Sequence, residues 1–552
     1  MTEEVLVDDA QAPSREKLVG SASELVPLLQ ANALWTEENR RLREESIEAL
    51  ADAGLFKMRV PKRYGGYEVD SRTLVEVLTR LGSGCGSTSW NVAVWSITGW
   101  IACLFPDHVQ DEVFATPDVR VCGTLPASAH FELAGGRRMG GGNRKRPPAA
   151  SCHIRLGGQE LDTHVPTRDE LVRRAAELTP LLQANALWNE QHRCLHPDNI
   201  EAMAKAGIYR MRMPRRYGGY ESDLRTVVDV LTQLGQGDGS TAWATAVWTI
   251  NAWVISLFPD EVQDEVFTTP DARFCGILSP NSTVVPVNGG YVVNGQWGYN
   301  TGFLHSHWNM LSGMHTAPGE DPYPIITVIP TAKLDHLDDW KTVGLQGTGS
   351  VTTVAKDVFV PAEFALPMGP VLMGQYPTRL NANSPIYRPP LLQAGAVPMN
   401  GVMVGLAKAA MADFRRRLPD RGVTYTFYQS QREAPITHLQ IAEAAMRIDL
   451  AQFHAYRAAD LVDAKGVSGE PWTLEERARI LLDSGRTCTL AKEAVDILNT
   501  ASGGSSIYSN MPMQRIERDI QAIKLHGLQH ASTNLELYGR IVCGLEPDTF
   551  FI

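Results

Sequence analysis

The 552-residue chain has no uninterrupted apolar run of about 18 residues, the length needed to span a bilayer. Its first residues, MTEEVLVDDAQ, are acidic and lack the basic start and apolar stretch of a secretory signal. Basic charge is also in short supply: 51 Lys and Arg against 62 Asp and Glu leave a net charge of −11. That balance argues against nucleic acid or an anionic membrane as the main partner, and leaves room only for a local basic pocket holding one phosphate. The eight cysteines (Cys85, Cys103, Cys122, Cys152, Cys194, Cys275, Cys488 and Cys543) include no C-x-x-C pair. The spacings of a metal site or a disulfide framework are therefore missing, and free thiols in a reducing cytoplasm are expected. No P-loop is present, and no G-x-G-x-x-G follows a strand. What remains, 44% hydrophobic and 20% charged, is the composition of a soluble globular protein large enough for three or four domains.

The chain repeats itself. PLLQANALW at Pro27 returns at Pro180, YGGYE at Tyr64 returns at Tyr217, and LFPDHVQDEVF at Leu104 returns as LFPDEVQDEVF at Leu257. Every pair has the same offset of 153 (for example 217 − 64), and roughly two residues in three are identical over about a hundred positions. Such an ungapped match means duplication of a whole domain and not a short solenoid period. The copies part after GTLPASAH and GILSPNST. Behind the first runs a stretch rich in Gly, Arg and Pro without apolar periodicity, expected as a flexible linker over 128–165.

Three further regions emerge from periodicity. Segments such as NIEAMAKAGIY carry apolar residues at helical spacing, and Pro-x-Arg-Tyr-Gly-Gly ends them in a turn. From about Phe274 the pattern changes to short β-branched runs such as GGYVVNGQW and PIITVIP, typical of a small β-barrel or sandwich. Long helical patterns return from about Pro389 and suit an antiparallel four-helix bundle. The expected organisation is an extra α-domain at 13–127, the linker, an α-domain at 166–273, a β-domain at 274–365 and a helical bundle at 389–552.

That order, with PRRYGG, YVVNGQWGYNTG, GLQGTGS ahead of VFVPAEF, and the Gly-Gly at Gly503 before RIERDI, resembles the acyl-CoA dehydrogenase superfamily across residues 166–552. The resemblance implies an α+β fold of α-domain, β-domain and four-helix bundle. Dehydrogenases of this kind use a Glu in a Tyr-Glu-Gly-Thr segment, which this chain lacks; Glu536 is the one nearby carboxylate, and its context differs. Arg518-Asp519, then Lys524-Leu525-His526, ahead of Leu537-Tyr538-Gly539-Arg540, resembles instead the class D two-component flavin monooxygenases, such as 4-hydroxyphenylacetate hydroxylase.

Those enzymes receive reduced flavin, add O2 to form a C4a-hydroperoxide, and pass the terminal oxygen to an electron-rich substrate. By resemblance, Thr301 stands where relatives place a hydroxyl near flavin N5, followed by Gly302, and the alternative is a strand Thr bonded to its neighbour. His526 stands where relatives have the His beside the substrate hydroxyl; an imidazole can take a phenol proton. His530, one turn on, is its rival, and a helix-end structural role is the plain alternative for both. Ser279 falls where the first strand reaches the ring or the substrate, against ordinary Ser-Pro turn chemistry. Trp297 is expected beside the isoalloxazine, and Trp243 and Trp248 as walls of an aromatic pocket, although tryptophans in such settings are more often core. For the phosphate, GLQGTGS offers backbone N–H groups at Gly347, Thr348 and Ser350, and Arg416 lies in the bundle connection that relatives use. Gln346 stands where many members have Arg, which puts that contact in doubt. With no adenosine-binding signature visible, the flavin is expected to be FMNH2, with FADH2 the alternative.

The expected function is hydroxylation of a phenolic or polycyclic aromatic substrate, with a separate NAD(P)H-dependent flavin reductase as partner. N-oxygenation of an amine on the same fold and an acyl-CoA dehydrogenase-type flavoenzyme are the alternatives. The resemblance also implies a homotetramer, and the closing segment NLELYGRIVCGLEPDTFFI is similar to oxygenases of aromatic polyketide antibiotic biosynthesis. The first α-domain copy has no β-domain or bundle behind it and is expected to be catalytically silent. Deleting residues 1–160 should leave turnover intact; product formation by the truncated chain measures this, and complete loss of turnover in a folded truncation would refute it.

Overall fold

The computed structural model describes residues 12–116, 118–122, 154–156, 159–161 and 164–552. The chain divides into two compact units, 1–146 and 147–552. Most of the expected linker lies outside the described residues. Within it, however, Ile154–Leu156 (β1) and Gln159–Leu161 (β2) pair as an antiparallel ladder. Gly157-Gly158, between two short runs, is a hairpin signal that the linker reading passed over.

The first unit consists of α1 (Arg15–Glu24), α2 (Val26–Asn39), α3 (Glu44–Asp52), α4 (Ser71–Gly84), α5 (Gly86–Ala102) and α6 (Asp107–Val113). Leu18, Leu29, Leu50, Leu55, Val77 and Leu81 form its core. In the second unit the repeat is built from α7 (Arg168–His192), α8 (Pro197–Lys205), α9 (Leu224–Gly237), α10 (Gly239–Ile255) and α11 (Asp260–Val266). The two copies share even their left-handed residues, Arg40 with Arg193 and Glu68 with Glu221. Their surfaces differ. Trp90 is 72% exposed while its counterpart Trp243 is 3% exposed, and Trp100 is 47% exposed against 1% for Trp253.

The second copy is covered by the elements that come after it in the chain. A mixed sheet of eight strands is next: β3 (Phe274–Ile277), β4 (Thr283–Val287), β5 (Gly290–Trp297), β6 (Trp308–His315), β7 (Tyr323–Pro330), β8 (Asp335–Leu337), β9 (Thr352–Pro361) and β10 (Ala365–Pro367). The sheet runs β10-β7-β6-β4-β5-β9-β8, with β3 parallel to β6. After it come α12 (Met368–Leu372) and the helices α13 (Leu391–Arg417), α14 (Pro435–Ser468), α15 (Leu474–Ala501), α16 (Pro512–Lys524) and α17 (Ala531–Val542). Helix α10 is shared between two cores. Trp243 and Ala246 pack with the bundle, and Trp253 and Val254 pack with the sheet.

Local chemistry sets the helix starts. Thr167 and Glu170 form a capping box on α7, and the carboxylates of Asp223 and Asp238 accept from the Thr226 and Thr241 amides at 2.7 and 2.8 Å. Helix α13 then lies on α9 at backbone-to-backbone range. A Cβ on Gly405 would stand 2.5 Å from the Thr232 carbonyl oxygen and 2.8 Å from Gly235 Cα, and one on Gly401 would stand 2.4 Å from the Val228 oxygen. Small residues here allow the close approach that seats the whole α-domain on the bundle.

A second tie joins α16 to the loop before β9. The buried Asp519 carboxylate accepts from the Leu345 amide at 2.6 Å. Arg518 donates to the Val343 carbonyl, and also to Glu190 on α7 at 2.6 Å. The loop is pressed against α16 so tightly that a Cβ on Gly344 would sit 2.1 Å from the Arg518 carbonyl oxygen. Leu345 itself is left-handed, with φ of 53°, a conformation that costs a non-glycine residue about 1–3 kcal/mol and persists where its surroundings fix it. Burial, and then the neighbouring Asp238 carboxylate, push Asp519 up to about 7, against the pull of the Leu345 N–H.

These ties have two measurable consequences. Gly405→Ala forces α13 off α9 and should cost about 1–3 kcal/mol, the usual range for overpacking, read as a lower urea midpoint. Asp519 holds its proton more tightly in the folded chain than in the unfolded one, where a carboxyl titrates near 3.8. Its contribution is therefore complete below that value and is lost as pH rises toward about 7. The stability of the native chain relative to Asp519→Asn, measured by unfolding at several pH values, should fall across that window; a pH-independent difference would contradict it.

Candidate active site

A cavity of about 1470 Å³ opens inside the second unit where α10, the sheet and the bundle meet. One stripe of α10 supplies Trp243, Val247, Ile250, Asn251 and Val254, residues that recur at helical spacing on a single face. The opposite wall is Gly276–Ser279, the Gly298–Thr301 turn and the loop from Trp340 to Ser350. Leu391 and Met399 of α13, Leu481 of α15, Leu525 to Leu528 and Leu537 of α17 complete an apolar interior, and Asp548 and Phe551 reach the rim.

Five of the residues singled out in the sequence come together on this cavity: Trp243, Ser279, Thr301, Ser350 and His526. The His526 imidazole meets the Trp243 indole edge-on at 5.3 Å, with 73° between the rings. Its Nδ1 is shut off from solvent and has no hydrogen-bond partner. Burial pushes this His down to about 4, so it is neutral at physiological pH. His530 stays outside the cavity, at the N-terminal end of α17, where its carbonyl accepts from Thr533 Oγ1 and from the Asn534 amide. Ser279 is exposed at the rim, and its carbonyl closes the turn by accepting from the Asn281 amide.

The Thr301 and Ser350 hydroxyls are 2.8 Å apart and both are buried. Ser350 also lies 2.7 Å from Thr348 Oγ1, whose hydroxyl donates to the Leu345 carbonyl at 2.8 Å. The loop fixed by Asp519 thus ends in a chain of hydroxyls that reaches the cavity.

Six other expected residues are placed elsewhere. Trp248 is core: its indole N–H donates to Ser306 Oγ at 3.0 Å, and it packs on Tyr209. Five residues from Trp243 is about 140° round a helix, so the two tryptophans face different ways. Trp297 is buried within the sheet and donates to the Ser312 carbonyl at 2.7 Å instead of lining the cavity. Gly302, with φ of 76°, turns the backbone so that its amide reaches the Thr348 carbonyl. Gly347 packs beside Asn189 and Ser240, and Thr348 lies behind Ser350. Arg416 is largely exposed at the end of α13 and paired with Asp413 at 2.5 Å, away from the cavity. Among the described residues lining the cavity, Lys341 is the one lysine or arginine. Glu536 lines it too, but is exposed and faces Arg540 at 3.6 Å.

The α10 stripe below Trp243 was open to sequence reasoning, because Val247, Ile250, Asn251 and Val254 succeed it at intervals of three and four. Lys341, Gln521 and Phe551 carried no comparable signal; chain segments far apart in sequence bring them in. Among the described residues no helix is long and apolar enough to cross a membrane, and no three His, Cys, Asp or Glu are grouped to hold a metal.

Residues 21–111 and 167–273 match the family described as acyl-CoA dehydrogenase, N-terminal domain, and residues 399–530 match acyl-CoA dehydrogenase, C-terminal domain. A pigment production hydroxylase from a Rhodococcus species is 30% identical over 385 residues, which is 69% of this chain and 97% of that protein. The flavin-dependent monooxygenase oxygenase subunit HsaA of Rhodococcus jostii is 28% identical, with 68% of this chain and 98% of that protein covered. Among solved structures, XiaF from a Streptomyces species in complex with FADH2 and glycerol superposes with a TM-score of 0.65 at 29% identity, covering 69% of this chain and 97% of that one. The chain belongs to the acyl-CoA dehydrogenase family, as an oxygenase component of its two-component flavin-dependent monooxygenases.

Proposed function

We propose that this chain hydroxylates a phenolic or polycyclic aromatic substrate, with reduced flavin delivered by a separate NAD(P)H-dependent reductase. The observation that carries the reading is the neutral, unpartnered imidazole of His526 on the wall of a large apolar cavity, edge-on to Trp243. The flavin fits the remaining features. A cavity of about 1470 Å³ accommodates a tricyclic ring and a flat substrate together, and the Thr301 and Ser350 hydroxyls offer the polar contacts that such a ring needs. Thr301 is the hydroxyl that meets the flavin ring, and Lys341 is a nearby cation for a phosphate.

When bound, reduced flavin with O2 supplies an electrophilic oxygen atom. The protein's part is to orient the acceptor, hold water out and move one proton. Trp243, Val247, Ile250 and Met399 present an apolar wall on which a flat aromatic packs. A phenol hydroxyl within reach of His526 donates to the imidazole, and transfer of its proton leaves a phenolate, a better nucleophile. An imidazole that is neutral down to a pH of about 4 is free to accept a hydrogen bond from that hydroxyl over the whole physiological range.

The test is the pH profile of turnover with a panel of phenols and a flavin reductase. Native turnover should show no acid limb from this His between about pH 5.5 and 8, since the imidazole stays uncharged there. His526→Ala should lower kcat at pH 7 by roughly 10²-fold or more, the contribution typical of a positioned base. The deficit should shrink as the solution approaches the phenol's own pKa near 10. A deficit that stays constant with pH would sink His526 as the base.

A further inference from the structure

The hydroxyl chain behind Thr301 has a direction. A carbonyl oxygen only accepts, so the 2.8 Å contact between Thr348 Oγ1 and the Leu345 carbonyl commits the one hydroxyl proton of Thr348 inward. Thr348 must then accept at its 2.7 Å contact with Ser350, which commits the Ser350 proton to Thr348. Ser350 in turn accepts at its 2.8 Å contact with Thr301, so Thr301 donates to Ser350. All three hydroxyl-bearing residues are buried: Thr348 is 1% exposed, Ser350 2% and Thr301 7%. Reversing it would leave two oxygens facing each other across 2.8 Å with no proton between them.

The anchor is itself held. Leu345 is fixed in its left-handed conformation by Asp519 on its amide and by the Trp340 indole N–H, which donates to its carbonyl at 3.0 Å. Thr301 therefore turns lone pairs, and not its proton, toward the cavity it lines.

We infer that Thr348 and Ser350 are positioning residues that make Thr301 an obligate acceptor and so let the site select the reduced over the oxidised flavin. The inference rests on the proposal that Thr301 meets the ring at N5. That nitrogen carries a hydrogen in the reduced flavin and offers a bare lone pair in the oxidised one. An acceptor fixed opposite N5 gains a hydrogen bond from the first and meets lone-pair repulsion from the second. The oxygenase thereby takes up the form that its partner supplies and releases the spent form.

The experiment uses the full chain with FMN and with FAD, each titrated in its oxidised form and, anaerobically, in its reduced form, together with the midpoint potential of the bound flavin. The native protein should bind the reduced form at least tenfold more tightly. Thr348→Val and Ser350→Ala each free a proton to turn toward the cavity. They should cut that preference about tenfold, lowering the bound potential by about 30 mV for a two-electron couple. Thr348→Ser keeps the anchoring hydroxyl and should retain the native ratio. Flavin that binds with the same ratio in all four proteins would overturn the inference while leaving the flavin site standing, as would loss of the preference in Thr348→Ser as well. Failure of the native chain to bind flavin in either state would bring down the underlying site and this inference with it.

Discussion

Inside the second unit the Leu345 amide and the Asp519 carboxyl meet at 2.6 Å, both removed from water. The contact spans 174 residues and does two things at once. It closes the bundle's fourth element against the loop that leads into β9, and it holds a non-glycine residue in a left-handed conformation. With Leu345 so fixed, its carbonyl points where Thr348 can donate to it, and this sets the order of the neighbouring hydroxyls. Burying a carboxyl without a cationic partner is costly. Here Asp519 holds its proton to higher pH, and a neutral acid needs less compensation than a charge.

The cavity depends equally on a helix that serves two layers. Helix α10 packs its first turns on the bundle and its last turns on the sheet, and its cavity-lining stripe runs from Trp243 in one layer to Val254 in the other. The close seating of α13 on α9 fixes α10 in that position, since Gly235, Gly401 and Gly405 hold the two backbones at contact distance. The first unit's copy, identical at roughly two residues in three, keeps the helices and turns but leaves Trp90 and Trp100 exposed. Local sequence suffices for the α-domain's secondary structure, and the cavity needs the rest.

This divides the features legible in the sequence from those that were not. The fold could be read because helix caps, turn glycines and the change from helical to alternating periodicity are local signals, and the repeat because an offset of 153 is plain arithmetic. Motif position singles out His526, and Trp243 stands out together with Trp248 as a tryptophan of an apolar helix; His526 and Trp243 meet on the cavity wall. Trp248 and Trp297 could not be told from them, because residue type alone does not say which face of a helix or strand is open; both are core here. The sequence marks Thr348 for its backbone N–H; its hydroxyl, in addition, meets Ser350, which meets Thr301. That role depends on which proton is already spent, and it takes the carbonyl of Leu345 in three dimensions to reveal it.

The two walls of the cavity are drawn from different parts of the chain. Hydroxyls and backbone come from the turns around Gly298–Thr301 and Gly344–Ser350, and the apolar surface comes from α10, α13, α15 and α17. Substitutions on the helices reshape the space offered to an acceptor without touching the hydrogen-bond order of the turns. Lineages that descend from such a scaffold are free to reshape the cavity by trading side-chain volume on the helices, while the hydrogen-bond order of the turns is inherited unchanged.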